Sequence, residues 1–293
     1  MPLPVRYSVT SPYDISPSVV PVGVDPNRAS IARVYDAALG GKTNYAVDRE
    51  VLDAAMRVHP GVAELAWANR NFLTRVMRHL AGHVKIRQYL DCGSGLPTAE
   101  NTHQIAQRFD RSASVVYVDN DPVVLAHGRA LLATNDATHI LDANIFEPDQ
   151  VLNHDLVTTH LDFDEPIAVL LLSVMHHHLD TAECARIVRR YADALPADSY
   201  LALSHLIDPE TPGLTPVAKG LEQVALNSKM GSGTFRTRAE IETLTALDGY
   251  DMLPPGPGEA PAVVACDRWW PDGPVEPLTP TQECFAGVVL RKR

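Results

Sequence analysis

The sequence predicts an α/β fold with a mostly parallel central sheet, and three observations carry that prediction. From about residue 88 onward, short apolar runs alternate with amphipathic stretches, the pattern of a parallel sheet covered by helices on both faces. Gln88 to Asp91 runs into "CGSG", a strand followed by a turn with two glycines spaced by one. The chain ends differently. "GYDMLPPG" and "ECFAGVVLRKR" read as two strands joined by a Pro/Gly-rich loop containing Trp269 and Trp270, which predicts an antiparallel hairpin at the sheet edge.

Residues 1 to 24 carry Pro2, Pro4, Pro12, Pro17 and Pro21 and no periodicity, so they read as an extended or disordered arm. Residues 25 to 83 read as a helical cap. In "DPNRASIARVYDAALGG", Asp25 stands as N-cap, Pro26 at the first helical position, and Gly40 and Gly41 as the stop. A second helix covers Asp48 to Val58. A third starts at Pro60, with Leu65, Phe72, Val76 and Leu80 on one face. Residues 84 to 293 then form the core. Its strands are Gln88 to Asp91, Ser114 to Asp119, His139 to Asp142, Ile167 to Ser173 and Ser199 to Ser204. Among the helices between them, Asp180 with Glu183 and Thr237 with Glu240 have capping-box spacing.

At 293 residues and 45% hydrophobic, the chain can bury one large core, or a core with a modest subdomain. The net charge of −11 repels a phosphate backbone, so nucleic acid is not an expected partner. Cys92, Cys184, Cys266 and Cys284 lie far apart and fit reduced thiols rather than a disulfide framework or zinc finger. No apolar run approaches the length of a membrane span and the start does not read as a signal peptide, so a cytoplasmic soluble protein is expected. The number of subunits is open.

In an open α/β sheet the ligand sits at the carboxyl ends of the strands, closest to the first strand-to-helix turn. Gly93 and Gly95 suit that turn because a Cβ would block the approach. The dinucleotide fingerprint requires a third glycine or alanine three residues beyond Gly95, where Thr98 stands. It also places helix amides on a pyrophosphate, and Pro97, read here as the helix start, removes one. A P-loop is excluded because no Gly-Lys-Ser/Thr follows the turn. A nucleoside ligand with a cationic centre and no phosphate fits better, and S-adenosylmethionine is such a ligand.

"DCGSG" resembles the D/E-x-G-x-G motif of class I S-adenosylmethionine-dependent methyltransferases, and "VVYVDNDP" resembles the acidic loop after their second strand. "YDAALGGKTNYAVDRE", "ANRNFLTR", "YLDCGSGLPT" and "VVYVDNDPVVLAHGRALL" together resemble an actinobacterial methyltransferase-like family long catalogued as of unknown function. The resemblance spans roughly Pro26 to Arg291. It implies a Rossmann-like fold with a mostly parallel seven-stranded sheet and an antiparallel C-terminal strand, behind the N-terminal helical lead-in.

The resemblance further implies S-adenosyl-L-methionine as cofactor and an S-adenosylmethionine-dependent methyltransferase acting on a small-molecule substrate. Asp91, Gly93 and Gly95 would line the methionine side, Asp119 would accept both ribose hydroxyls, and Asn120 and Asp121 would border the adenine. Asp142 would accept from the adenine amino group with Ala143 beside it, and Ser173 to Met175 would floor the reactive methyl. Tyr35, Lys42 and Tyr45 are candidates for the cofactor carboxylate or the substrate. Each has a plainer alternative: Asp119 starts a turn before Pro122, Asp142 closes a strand, and Gly40 and Gly41 only stop a helix.

In "SVMHHHLD" the three adjacent histidines point in different directions and do not converge on one metal ion. His176 or His177 is instead a candidate general base, with His205 a second, against a purely structural role for each. Two other functions stay open: a protein that binds S-adenosylmethionine or its demethylated product without turnover, and an NAD-dependent oxidoreductase.

Overall fold

In the computed structural model, residues 24–97, 100–132, 135–274 and 276–293 are described. The arm expected over residues 1 to 24 lies outside them except for Val24, as does Thr98. The strands are β1 (Gln88–Cys92), β2 (Ser114–Asp119), β3 (Thr138–Asp142), β4 (Ala168–Leu172), β5 (Tyr200–Asp208), β6 (Arg236–Thr237), β7 (Tyr250–Met252), β8 (Val264–Ala265) and β9 (Phe285–Lys292). They form one sheet in the order β3-β2-β1-β4-β5-β9-β7, with β6 added to β5 and β8 to β9. The pairings from β3 to β5 are parallel, and β9 runs antiparallel to both β5 and β7. The strands ending near Asp91, Asp119 and Asp142 are neighbours, as expected, and the terminal hairpin closes the edge through β7.

The helices are α1 (Ile31–Ala38), α2 (Ala46–Val58), α3 (Ala63–Met77), α4 (Thr102–Phe109), α5 (Pro122–Leu132), α6 (Pro148–Leu152), α7 (Asp155–His160), α8 (Thr181–Ala194), α9 (Thr215–Asn227) and α10 (Arg238–Thr245). Asp180 and Thr237 cap α8 and α10 as their spacing predicts. Two starts differ. Asp25 Oδ1 accepts from Asn27 N at 2.8 Å in a tight turn, and Ser30 caps α1 instead. Pro97 does not begin a helix either. The helix waits until Thr102, where Asn101 and Gln104 cap each other. Both errors have one cause: a short polar side chain or a proline marks a turn as readily as a helix start.

Because successive strand residues face opposite ways, the sheet divides the core in two. Leu90, Val116, Val169, Leu171, Leu203 and Val288 face α6, α7, α8 and α10. Tyr89, Val115, Leu170, Ala202 and Val289 face α3, α4, α9 and Trp269. Thus α3, expected to belong to a cap beyond the sheet, lies on the sheet itself, continues as a π-helical turn (Arg78–Val84) and contributes Phe72, Val76 and Met77 to the core. Phe72 seats against β9 at Gly287, where a Cβ would stand 2.6 Å from the ring, and meets Trp269 edge-on with centroids 5.5 Å apart.

Phe72→Ala is expected to cost about 3 to 5 kcal/mol of stability, the range for emptying a fully buried aromatic site. Gly287→Ala should lower the melting temperature, and by less in a Phe72→Leu background, because the ring that a new methyl strikes is gone. Urea and thermal unfolding of wild type, Phe72→Ala and the three variants of the Gly287→Ala/Phe72→Leu cycle measure both the cost and the coupling. Equal effects of Gly287→Ala in the two backgrounds would show that this contact does not govern the site.

Candidate functional site

A cavity of about 630 Å³ opens at the carboxyl ends of β1 to β4, between the strand ends and α1, α2, α3 and α9. Its base is the turn after β1. Gly93 and Gly95 hold left-handed conformations with φ of 77° and 64°, accessible to glycine at little cost. A Cβ on Gly93 would stand 2.3 Å from Val174 Cγ1, whereas the space where one would project from Gly95 is open. Gly93 N donates to Val118 O at 2.7 Å, and Gly95 N donates to Asp119 Oδ2 at 2.9 Å. The other carboxylate oxygen of Asp119 accepts from Asn120 N at 2.8 Å and Asp121 N at 2.9 Å. Asp119 therefore starts a turn and also ties the two loops of the cavity together. Burial raises its pKa, against the pull of those amides.

Asp91 lines the same wall and accepts from Thr102 Oγ1 at 2.6 Å. Burial raises its pKa to about 6, while Thr102 and the nearby Arg70 guanidinium favour the charged form. Arg70, on α3, also lines the cavity and donates to Glu100 O. The cavity thus holds a buried carboxyl and a guanidinium within electrostatic reach of one another.

Ser173 follows β4 with φ of 60°, unusual for a residue with a side chain. Its amide donates to Ser204 Oγ at 2.9 Å, Ser204 Oγ donates to Asn69 Oδ1 at 2.5 Å, and Asn69 Nδ2 donates to Tyr35 Oη at 2.9 Å. Tyr35 in turn donates to Ala66 O at 2.9 Å. Burial raises the tyrosine pKa to about 12, so it stays protonated. One polar chain therefore runs from α1 through α3 to the floor beyond β4.

Of the residues expected at the site, Tyr35, Asp91, Gly93, Gly95, Asp119, Asn120, Asp121, Ala143, Ser173, Val174, His176 and His177 line this cavity, and Lys42, Tyr45, Asp142, Met175 and His205 do not. Asp142 pairs in register with Asp119 but is exposed at the end of the edge strand, and the next residues, Ala143 and Asn144, line the cavity instead. Tyr45 caps α2 with its ring 5.0 Å below the Arg33 guanidinium, and Lys42 is exposed in the preceding loop. Met175 is fully buried.

His205 is buried with both ring nitrogens engaged. Leu206 O can only accept, so Nδ1 donates to it at 2.6 Å and Nε2 accepts from Arg236 Nη1 at 2.7 Å. Burial and Arg236 bring its pKa down to about 3. His176 is buried, its Nδ1 has no partner among the described residues, and burial together with the neighbouring His177, His205 and Arg236 depresses its pKa strongly. His177 pairs Nδ1 with Ser232 Oγ at 3.0 Å, and burial brings it down to about 4. Arg236 organises this corner through Met175 O, His178 O and Thr181 Oγ1.

The family described as S-adenosyl methyltransferase matches residues 19–292. The chain belongs to that family. It is an S-adenosylmethionine-dependent methyltransferase, and the Rossmann-like sheet is the fold expected of one. A crystal structure of a proposed methyltransferase from Thermobifida fusca YX shares 39% identity, with 98% of this chain and 100% of that one covered and a TM-score of 0.83. A DUF574 family protein from Streptomyces avermitilis MA-4680 shares 33% identity over 92% and 99% of the two chains, with a TM-score of 0.82. No curated protein matches the chain. In this methyltransferase the sequence reading assigned no role to Asn69, Arg70, Asn144, Ser204 or Arg236, although Asn69 and Arg70 lie inside the quoted "ANRNFLTR".

The depressed histidines make stability depend on acid. Each binds a proton in the unfolded chain near pH 6.5 but resists it in the fold, so their contribution is present above pH 6.5 and is lost as pH falls toward 4. Asp91, raised to about 6, acts oppositely: its contribution is present below its unfolded value and is lost as pH rises through 6. With three histidines on one side, the melting temperature should drop by about 5 °C or more between pH 7 and 4.5. The drop should be smaller in His177→Gln. Melting scans across pH check this, and equal slopes in the two proteins would count against it.

Proposed function

We propose that S-adenosylmethionine lies across the carboxyl ends of β1 to β3 and that the methyl acceptor is a small molecule held beneath α2 and α9. The Gly95 to Asp119 hydrogen bond carries this reading, because it brings the glycine turn of β1 and the acidic end of β2 into one cavity wall. The donor set fits the cofactor. Gly95 leaves open space beside the turn, Asp119 presents a carboxylate for vicinal hydroxyls, and Asp91 with Arg70 offers opposite charges to an amino acid's ammonium and carboxylate. Asn144 takes the adenine-edge role that the sequence reading gave to Asp142.

A pyrophosphate ligand is disfavoured for a reason other than Pro97. The start of α4 caps itself through Asn101 and Gln104, and no residue of α4 lines the cavity. We place the boundary between cap and core after α2, since α3 packs on the sheet. We also place the enzyme in the cytoplasm, in keeping with four buried free cysteines.

Bound S-adenosylmethionine supplies an activated methyl on a sulfonium. The chain's task is to orient the acceptor, exclude water and take up a proton. Ser173, held through Ser204 and Asn69, sets the floor at which the acceptor meets the methyl. His177, uncharged at neutral pH and held at Nδ1 by Ser232, accepts at Nε2 the proton that an acceptor hydroxyl or amine sheds.

Titration calorimetry with S-adenosylhomocysteine tests the cofactor assignment. Asp119→Ala should weaken binding by about 2 to 4 kcal/mol, or roughly thirty- to a thousandfold, and Asp119→Asn by less. Both should also lower the melting temperature, since the same carboxylate holds Gly95. Unchanged affinity in Asp119→Ala would sink the ribose assignment.

Asp91 adds a pH dependence. Its carboxylate form is needed for an ammonium and is lost below about pH 6, so the wild-type dissociation constant should rise by about tenfold between pH 7 and 5. Asp91→Asn should flatten that rise. A wild-type curve flat over this range would show that Asp91 does not face the ammonium.

A further inference from the structure

We infer that the methyl acceptor is an electrically neutral, predominantly apolar molecule. This rests on the cofactor placement above and follows from how charge is distributed around the cavity. The ionisable carboxylates and guanidinia that line it come from three places. The start of α1 and the residues before it give Asp25, Arg28 and Arg33, the strand ends give Asp91, Asp119 and Asp121, and α3 gives Arg70. All but Arg70 lie on the α1 and glycine-turn side, and several already have partners. Arg33 pairs with Asp48 at 2.8 Å, Asp121 accepts from Ser30, and Asp91 and Asp119 are held as described.

The opposite walls are different in kind. They are built by Val51, Leu52 and Ala55 of α2, Leu221 and Val224 of α9, and Phe235 beyond it. Among the described residues, neither α2 nor α9 sends a charged side chain into the cavity. Asp48 of α2 is turned to Arg33, Ser30 N and Tyr45 N. Glu222 of α9 is turned to Thr234 Oγ1 and Phe235 N. The two helices meet directly, since a Cβ on Gly220 would stand 2.7 Å from Val58 Cγ1. They form a closed apolar roof rather than two separate surfaces.

An ammonium or carboxylate pressed against these walls loses water and finds no counter-charge, so its binding there is disfavoured. A neutral apolar body instead gains in proportion to the apolar surface it buries. The polar handle at this end is the histidine pair, for Tyr35 and Asn69 are committed to each other and to Ser204. The lobe therefore sorts acceptors by charge.

The test uses three probes of nearly equal shape: a naphthol, the matching naphthoate, and the matching naphthylmethylamine as its cation. Dissociation constants are measured calorimetrically at pH 7.5, with and without saturating S-adenosylhomocysteine. The naphthol should bind at least tenfold more tightly than either ion in both states. A charged probe binding as well as the naphthol, or none of the three binding up to its solubility, overturns the inference. Failure of S-adenosylhomocysteine to bind would count against the cofactor placement alone, because the charge preference is read without it.

Val224→Asp should shift the preference toward the cationic probe by at least tenfold, with S-adenosylhomocysteine affinity within about threefold of wild type. Met230→Glu, on the loop beyond α9 and also lining the cavity, should act in the same direction if Val224→Asp does not fold. Unaltered preference in a folded variant of either kind would place the probe elsewhere and overturn the assignment.

Discussion

One backbone amide donating to one carboxylate oxygen, Gly95 N to Asp119 Oδ2, sets the geometry on which the rest of the site depends. The two groups come from different strands, and neither loop is regular. Gly93 and Gly95 hold a conformation that other residues resist, and the turn after β2 is short and polar. Each loop alone has several shapes available. Joined by a charge-assisted bond in a partly buried setting, they hold one. Asp119 also anchors the third loop, because its own carbonyl accepts from Ala143 N at 3.1 Å. The ends of β1, β2 and β3 are therefore fixed relative to one another before any ligand arrives.

The floor beyond β4 is fixed by different means. Ser173 has no glycine's freedom, and its left-handed backbone persists because Ser204 holds its amide from the next strand. Ser204 is in turn held by Asn69, and Asn69 holds Tyr35. A buried polar chain of this kind is favourable only while every member is satisfied. It makes α1 and α3 part of the floor, although in sequence they precede the sheet by many residues.

The sheet was legible because the cues for it are local and redundant: apolar runs, alternation, capping boxes and the glycine turn all agreed. The antiparallel last strand followed from the absence of a helix before it. The cavity wall was legible in Asp91, Gly93, Gly95 and Asp119 because those residues sit beside their own strand ends. What could not be read depends on contacts between distant segments. Asn69 and Ser204 are unremarkable polar residues until folding brings them to 2.5 Å, and Arg236 gains its role only beside His205. Asp142 lies off the cavity although its strand end was read at the right residue: β3 is the edge strand, and the chain lines the cavity only from the next residues, Ala143 and Asn144.

Arg236 is buried among carbonyls, a threonine hydroxyl and His205 Nε2, and no carboxylate neutralises it among the described residues. An uncompensated positive charge in a low-dielectric interior projects its field well beyond its hydrogen bonds. That field falls on the histidine corner, where it already opposes protonation of His176 and His205. It would fall equally on any oxygen that becomes negative there. The guanidinium thus acts as a standing electrostatic bias, built in behind the cavity wall, which disfavours positive charge and favours negative charge in that corner.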